Sequence, residues 1–201
     1  RTRALLRLPH VSYLLLLNFL MFLAFNIFYT AFPTFASTTL AWSVSQVGWY
    51  FAVLSGTMMG AQGPLLSYLS NRVPSWLLIA VGLALLAGSF LVLALVDTRW
   101  VYVSAPLFAI GNGLMWPTFL SILATAAPRR YQGGVQGLSG SVGSLASILG
   151  LLLGSVFYAT LGTVSFAIAA GLMGLVGVLA FGLKPALARH DTPTTARSSS
   201  T

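Results

Sequence analysis

Six long apolar runs, separated by short gaps that hold every charged residue, leave few folds open to this chain. The runs are Val11 to Phe32, Ser45 to Leu69, Trp76 to Val96, Trp100 to Ala126, Gln132 to Tyr158 and Thr163 to Leu183. A helix crosses the roughly 30 Å hydrocarbon core of a bilayer with about 20 mainly apolar residues, and each run reaches that length. Backbone groups in hydrocarbon must satisfy one another, which restricts a spanning chain to helices or a closed barrel. The runs lack the alternation of barrel strands and are far too long for them. The expected fold is an all-α membrane protein of six transmembrane helices.

Charge placement sets the orientation. Ten of the twelve charged residues are basic, for a net charge of +8. Arg1, Arg3 and Arg7 precede the first run, Arg72 lies in the second connector, Arg129 and Arg130 in the fourth, and Lys184, Arg189 and Arg197 in the tail. The odd connectors hold only Arg99, beside Asp97. This positive-inside bias puts both termini and the even connectors in the cytoplasm of a multi-pass protein of the cell (inner) membrane. The lipid bilayer is the partner that such charges address. A nucleic-acid partner is excluded, because that would need a clustered basic face with interleaved aromatics.

With 57% hydrophobic and 6% charged residues in 201, no soluble domain fits. The expected division is a cytoplasmic lead-in over 1–10, a transmembrane bundle over 11–185 and a disordered cytoplasmic tail over 186–201, where Thr, Ser and Ala dominate. The absence of cysteine removes disulfides, thiolate chemistry and cysteine metal sites. The first run is too long for a signal peptide and five more follow it. The first Met is Met21, inside the first run, so further sequence is expected upstream.

Polar residues divide the runs into two kinds. The third and sixth are apolar apart from an occasional Ser or Thr, and can face lipid, with Gly82, Gly88, Gly171, Gly174 and Gly177 permitting close packing on one side. The others carry Asn18, Asn26, Gln62, Asn112, Thr118 and Gln136 at membrane depth. An amide in hydrocarbon is costly without a partner or water, so these four helices are expected to face the bundle interior or a wet cavity.

The order inside, inside, outside occurs twice and suggests an internal duplication. Phe32-Pro33-Thr34-Phe35 is echoed 84 residues on by Trp116-Pro117-Thr118-Phe119, and Gln46 with Gly48 is echoed 86 residues on by Gln132 with Gly133 and Gly134. Three crossings reverse the chain, so the halves would be two inverted three-helix repeats, a construction of transporters that bind at the repeat interface.

The stretch Gly63-Pro64-Leu65-Leu66-Ser67-Tyr68-Leu69-Ser70-Asn71-Arg72 resembles the signature Gly-x-Leu-Ala-Asp-Arg-x-Gly-Arg-Arg of the major facilitator superfamily. Gly63, Leu65 and Arg72 match, whereas Ser67 replaces the acid and Ser70 the glycine. The charge relay of that motif does not carry over, which points to the weakened copy in the second half of such proteins. Gly111 through Pro117 to Gln132-Gly133, then Gln136-Gly137 and Gly150 to Tyr158, is similar to the tenth and eleventh helices of drug and proton antiporters of the tetracycline-efflux kind. Those relatives often show Gly-Pro where this chain has Gly150-Leu151.

The resemblance implies the C-terminal six-helix bundle of a twelve-helix secondary transporter, working by alternating access against an N-terminal half. It also implies that the first and fourth helices line the substrate cavity. The candidate contacts to a small-molecule substrate are Asn26, Tyr29, Asn112, Trp116 and Gln136, with amides to orient the ligand and aromatics to pack on an apolar one. The competing role for the amides is to staple helices together, at about 0.6 kcal/mol each. Gly63, Arg72, Pro33 and Pro117 are candidate conformational elements; the prolines remove backbone donors and kink or end their helices. Gly133 with Gly137, Gly150 with Gly154, and Gly56 with Gly60 are each four apart, and can form grooves either between bundles or within this one.

An enzyme is not expected. Gly137-Leu138-Ser139-Gly140 matches the Gly-x-Ser-Gly of rhomboid proteases, but their serine needs a histidine base, and the only histidines are His10 and His190 in the flanks. No phosphate loop or carboxylate pair occurs, and no cofactor is implied. The runs also contain no Asp, Glu or His, so a proton-coupling carboxylate would have to come from outside this chain. The alternative reading is a free-standing six-helix membrane protein that works as a homodimeric half-transporter, a channel or an assembly factor, with a second copy as its partner.

Overall fold

The computed structural model describes residues 9–95, 100–126 and 128–182, and the side chains of Pro9, His10 and Arg129 are not described. Residues 1–8 of the lead-in, the tail, and Asp97 and Arg99 of the third connector lie outside this range. The described chain is helical throughout apart from its short connections: α1 (Pro9–Thr38), α2 (Val44–Gly60), a π-helical stretch (Ala61–Leu65), α3 (Leu66–Ser70), α4 (Ser75–Leu95), α5 (Val101–Thr125), a 3₁₀ turn (Arg129–Tyr131), α6 (Gln132–Leu161) and α7 (Val164–Gly182). Five of these helices, α1, α4, α5, α6 and α7, are long and apolar enough to cross a membrane. The second apolar run is divided between α2, the π stretch and α3.

Local chemistry explains the boundaries. Ser43 and Gln46 form a capping box at the start of α2, with Ser43 Oγ accepting from Gln46 N at 3.3 Å and Gln46 Oε1 accepting from Ser43 N at 2.7 Å. Gly162, at φ 58°, closes α6 by donating its N–H to the Tyr158 carbonyl at 3.0 Å. Neither Pro33 nor Pro117 ends its helix: α1 continues to Thr38, past the expected boundary at Phe32, and α5 to Thr125. In hydrocarbon a helix that stopped at proline would expose far more unsatisfied backbone than the one carbonyl that proline releases.

The helices alternate in direction. Tyr13 at the start of α1 donates to the Leu179 carbonyl near the end of α7 at 2.7 Å, while Tyr158 near the end of α6 meets Thr38 at the end of α1 at 3.1 Å. The closest pairings are α1 with α6 and α7, α5 with α4 and α2, and α4 with α7. Phe28 sits at the centre, fully buried, with Phe108 at 4.9 Å, Phe90 at 5.3 Å and Phe166 at 6.4 Å between ring centroids. Aromatic rings from α1, α4, α5 and α7 thus join four helices at one point.

Backbone approaches replace large side chains on two seams. Beside α1, α6 presents Gly143, Ala146, Gly150 and Gly154; a Cβ on Gly150 would stand 2.8 Å from the Leu23 carbonyl oxygen, and one on Gly154 2.9 Å from Ile27 Cα. Gly82 of α4 meets Gly111 of α5 in the same way. Of the glycines expected to ease packing of the third and sixth runs, only Gly82 does so; Gly88, Gly171, Gly174 and Gly177 face open space.

Burial does not follow the expected inside, inside, outside order. Within this chain α1 and α5 are the most enclosed of the five long helices and α6 the least, while α2 buries only Tyr50 and Leu54. Polarity marks what a helix must satisfy, but burial is set by which neighbours it has, and among the described residues α2 packs mainly on α5 and α6 mainly on α1.

Candidate functional site: a polar and aromatic face on α1 and α5

Phe22, Phe25 and Tyr29 recur on α1 at three- and four-residue spacing and so line one face. Across from them α5 brings Phe108 and Trp116. Phe22 meets Trp116 edge-on at 5.1 Å, Phe25 meets Trp116 at 6.3 Å and Phe108 at 5.7 Å, and Tyr29 meets Phe108 at 6.0 Å. Phe51 of α2 closes the row at 6.1 Å from Tyr29. Tyr29 is 38% exposed, Trp116, Phe22 and Phe51 are half-buried, and Phe25 and Phe108 are the members of the row that belong to the core. The Trp116 indole N–H and the Tyr29 hydroxyl make no hydrogen bond to a described residue.

The two asparagines on this face are held differently. Asn26 Nδ2 donates to Ser147 Oγ on α6 at 3.0 Å and to the Phe22 carbonyl at 2.8 Å, which occupies both of its N–H groups. Among the described residues Asn112 Nδ2 has only the Met58 thioether of α2, at 3.1 Å, and its buried Oδ1 has no partner. A thioether is a weak acceptor, so Asn112 keeps most of its hydrogen-bonding capacity. Pro33 and Pro117 add to this inventory, since each denies the carbonyl four residues earlier its regular helix donor: Tyr29 on α1 and Gly113 on α5. A backbone acceptor therefore stands beside each of the two candidate positions.

Gln136 is not part of this face. It is exposed on α6, eleven residues before Ser147, which is about 16 Å along a helix. Asn18 instead staples α1 to α6, its Nδ2 donating to the Ser139 carbonyl at 3.1 Å. Gln62 and Thr118 converge elsewhere, on a cavity of about 330 Å³ shared by the π stretch, α3, α4 and α5, which Ser67, Ser70, Ser121 and Pro117 also line.

The Gly63 to Arg72 segment contains the π stretch, with Pro64 inside it. In place of an acidic relay, the Ser67 carbonyl accepts from Ser70 Oγ and from Asn71 Nδ2, both at 3.3 Å, and the Arg72 guanidinium lies 4.2 Å from the centre of the Tyr68 ring. Gly150 and Gly154 pack within the bundle against α1, whereas Gly56, Gly60, Gly133 and Gly137 face open space. The sequence reading missed Phe22, Phe51, Met58, Phe108 and Ser147. The three-and-four spacing of Phe22, Phe25 and Tyr29 was the available signal for the row.

A bundle of five helices long and apolar enough to cross a bilayer is that of an integral membrane protein. Residues 14–200 match the family model of the Major Facilitator Superfamily, and the chain belongs to that family, which places it with membrane transporters rather than enzymes. It is 26% identical over 155 residues to the class D tetracycline resistance protein of Salmonella ordonez, covering 77% of this chain and 38% of that protein. Among solved structures it is similar to the human organic anion transporter MFSD10 (TETRAN), with a TM-score of 0.77 and 24% identity over 90% of this chain and 45% of that one. It is also similar to the peptide transporter POT in complex with alafosfalin, with a TM-score of 0.75 and 16% identity over 88% of this chain and 38% of that one. The chain thus spans less than half the length of these relatives.

Proposed function

We propose that this chain is one six-helix half of a secondary transporter that works by alternating access and exports a small, lipophilic molecule. The stretch 44–70, formed by α2, the π stretch and α3, is the sixth span. The carrying observation is a symmetry in the packing: exchanging α1 with α5, α2 with α6 and α4 with α7 turns α1–α6 into α5–α2, turns α1–α7 into α5–α4, and leaves α4–α7 as it is. Two inverted three-helix repeats have that pairing rule.

The substrate meets α1 and α5, the two helices that the exchange relates, through Asn112, Trp116, Tyr29 and Asn26. The positive-inside bias keeps both termini and the Arg72 end in the cytoplasm, with the protein in the inner membrane. The one-sided burial of α2 and α6 supports a partner of similar size, either an N-terminal six-helix half or a second copy. A tetracycline resistance protein among the relatives favours export over uptake.

The test is transport by the full-length protein in inside-out membrane vesicles, with tetracycline and a panel of lipophilic drugs and sugars. Accumulation of a lipophilic compound that falls at least tenfold in Asn112→Ala supports the reading. Accumulation that no substitution at Asn26, Tyr29, Asn112 or Trp116 alters would place the substrate elsewhere. Gradient-independent flux would make the protein a channel.

A further inference from the structure

We propose that the groove between the starts of α2 and α5 binds one neutral, ring-containing lipophile taken from the bilayer, at a site separate from the α1–α5 face. The open groove has a volume of about 210 Å³ and is lined by Trp42, Trp49, Tyr50 and Tyr102, with Val53 and Ala105 completing the lining.

These walls are built in place. Ala41 has φ 54°, a conformation that a residue with a Cβ adopts at a cost, and it is the turn that delivers Trp42. Trp42 N then donates to the Ala36 carbonyl at 3.0 Å, and the indole lies 5.6 Å from Tyr102 and 5.9 Å from Tyr50. The Tyr50 hydroxyl is bonded to Ser104 Oγ at 2.8 Å, and the Ser104 carbonyl accepts from Ser89 Oγ at 2.9 Å. Tyr50, 5% exposed and stacked on Phe32 at 4.2 Å, therefore forms the floor of the groove and needs nothing polar from a ligand. Trp49, 70% exposed, and Tyr102, 66% exposed, form the open rim.

Helix periodicity separates this groove from the face described above. Gln46, Trp49 and Val53 recur at three and four residues and form one stripe of α2, with Trp42 just ahead of its N-cap. Phe51 and Met58, which meet Tyr29 and Asn112, lie on the other side of the buried seam of Tyr50 and Leu54. None of the described lining side chains is charged, and the carboxamide oxygen of Gln46 is already used by the cap. That chemistry selects a neutral ligand. The volume falls below the roughly 300 Å³ at which drug-sized sites begin, so it suits one ring or two fused rings. Ring against ring also gains the edge and offset geometries that an acyl chain cannot use. A general interfacial belt of Trp and Tyr points its rings outward. Here Trp42 and Tyr50 turn inward, and one strained residue is spent on the arrangement.

The test is photolabelling of the full-length protein in phosphatidylcholine nanodiscs with a neutral phenyl diazirine, read by peptide mass spectrometry with naphthalene as competitor. Saturable labelling of 42–53 and Tyr102 that naphthalene displaces is expected, with at least tenfold weaker half-saturation in Trp49→Ala and Tyr102→Ala and no change in Trp100→Ala. The rim residues are mostly exposed, so their truncation leaves the core intact; circular dichroism checks this, and Trp49→Phe should retain binding. Labelling that rises linearly with probe, or that is equal at Trp100, would overturn the site. A diazirine-bearing phospholipid acyl chain that labels the groove and competes equally with the ring probe would overturn the ligand class.

Discussion

Gly82 of α4 and Gly111 of α5 face each other so closely that a Cβ on either would stand 2.7 Å from the carbonyl oxygen of the other. That mutual notch lets two helices meet backbone to backbone in the absence of a hydrophobic drive between them, since lipid tails are as apolar as leucine. Neighbouring atoms are backbone or Cβ, including Met115 Cβ at 2.5 Å from the Gly82 position, and have no room to turn aside.

Gly82→Val and Gly111→Val are therefore expected to destabilise the bundle by about 1–3 kcal/mol, as overpacked cores are. Gly88→Val and Gly174→Val, where an added Cβ meets nothing within 4 Å, should leave the thermal midpoint in detergent unchanged. Equal loss at all four positions would mean that propensity, and not the seam, sets the cost.

Asn112 and Asn26 should separate when each becomes alanine. Asn26→Ala breaks the tie to Ser147 and should lower stability by about 0.6 kcal/mol, the mean for membrane hydrogen bonds. Asn112→Ala should change stability less and substrate affinity more, because among the described residues its amide has only a thioether as partner. Paired measurements of thermal midpoint and substrate Kd on the two variants decide this.

Asn18 is fully buried, yet its Oδ1 has no partner among the described residues. Its one bond, from Nδ2 to the Ser139 carbonyl, is set against an unsatisfied buried oxygen that costs about 1–3 kcal/mol. Asn18→Leu should accordingly be neutral or stabilising in a chemical-denaturation series. A loss above about 2 kcal/mol would show that an ordered water or another chain satisfies that oxygen.

The purified 201-residue chain in proteoliposomes should not couple a proton gradient to substrate movement, because its six apolar runs contain no Asp, Glu or His. The measurement is uptake after an imposed pH jump. Robust gradient-driven uptake would show that a proton path exists without a carboxylate or imidazole within the spans.

The helices themselves were legible because hydrocarbon imposes a length and a polarity that any sequence must display. Their ends were less so. Pro33 reads as a boundary, yet α1 runs to Thr38, since a spanning helix tolerates one released carbonyl better than an early stop. The division of the second apolar run at Ala61–Leu65 has Pro64 as its only mark in sequence. Among site residues, Asn26 and Asn112 look alike in sequence; Ser147 and Met58, each on a distant helix, make them different. Gln136 looks like both and lies apart from them. The four-apart glycine pairs look equivalent too, but Gly150 and Gly154 meet α1, and Gly133 and Gly137 meet nothing.

The sequence by itself determined the solvent, the helical class and the expected sidedness, because transfer into a bilayer is decided residue by residue by apolar length and by where charge is expelled. Only the tertiary structure decided which amide is a staple and which keeps free capacity, which glycine is a seam, and which aromatics form a groove away from the α1–α5 face. Those outcomes depend on the neighbour that each side chain meets across the bundle, and such neighbours are set by packing between segments distant in sequence, 121 residues apart for Asn26 and Ser147 and 54 for Asn112 and Met58.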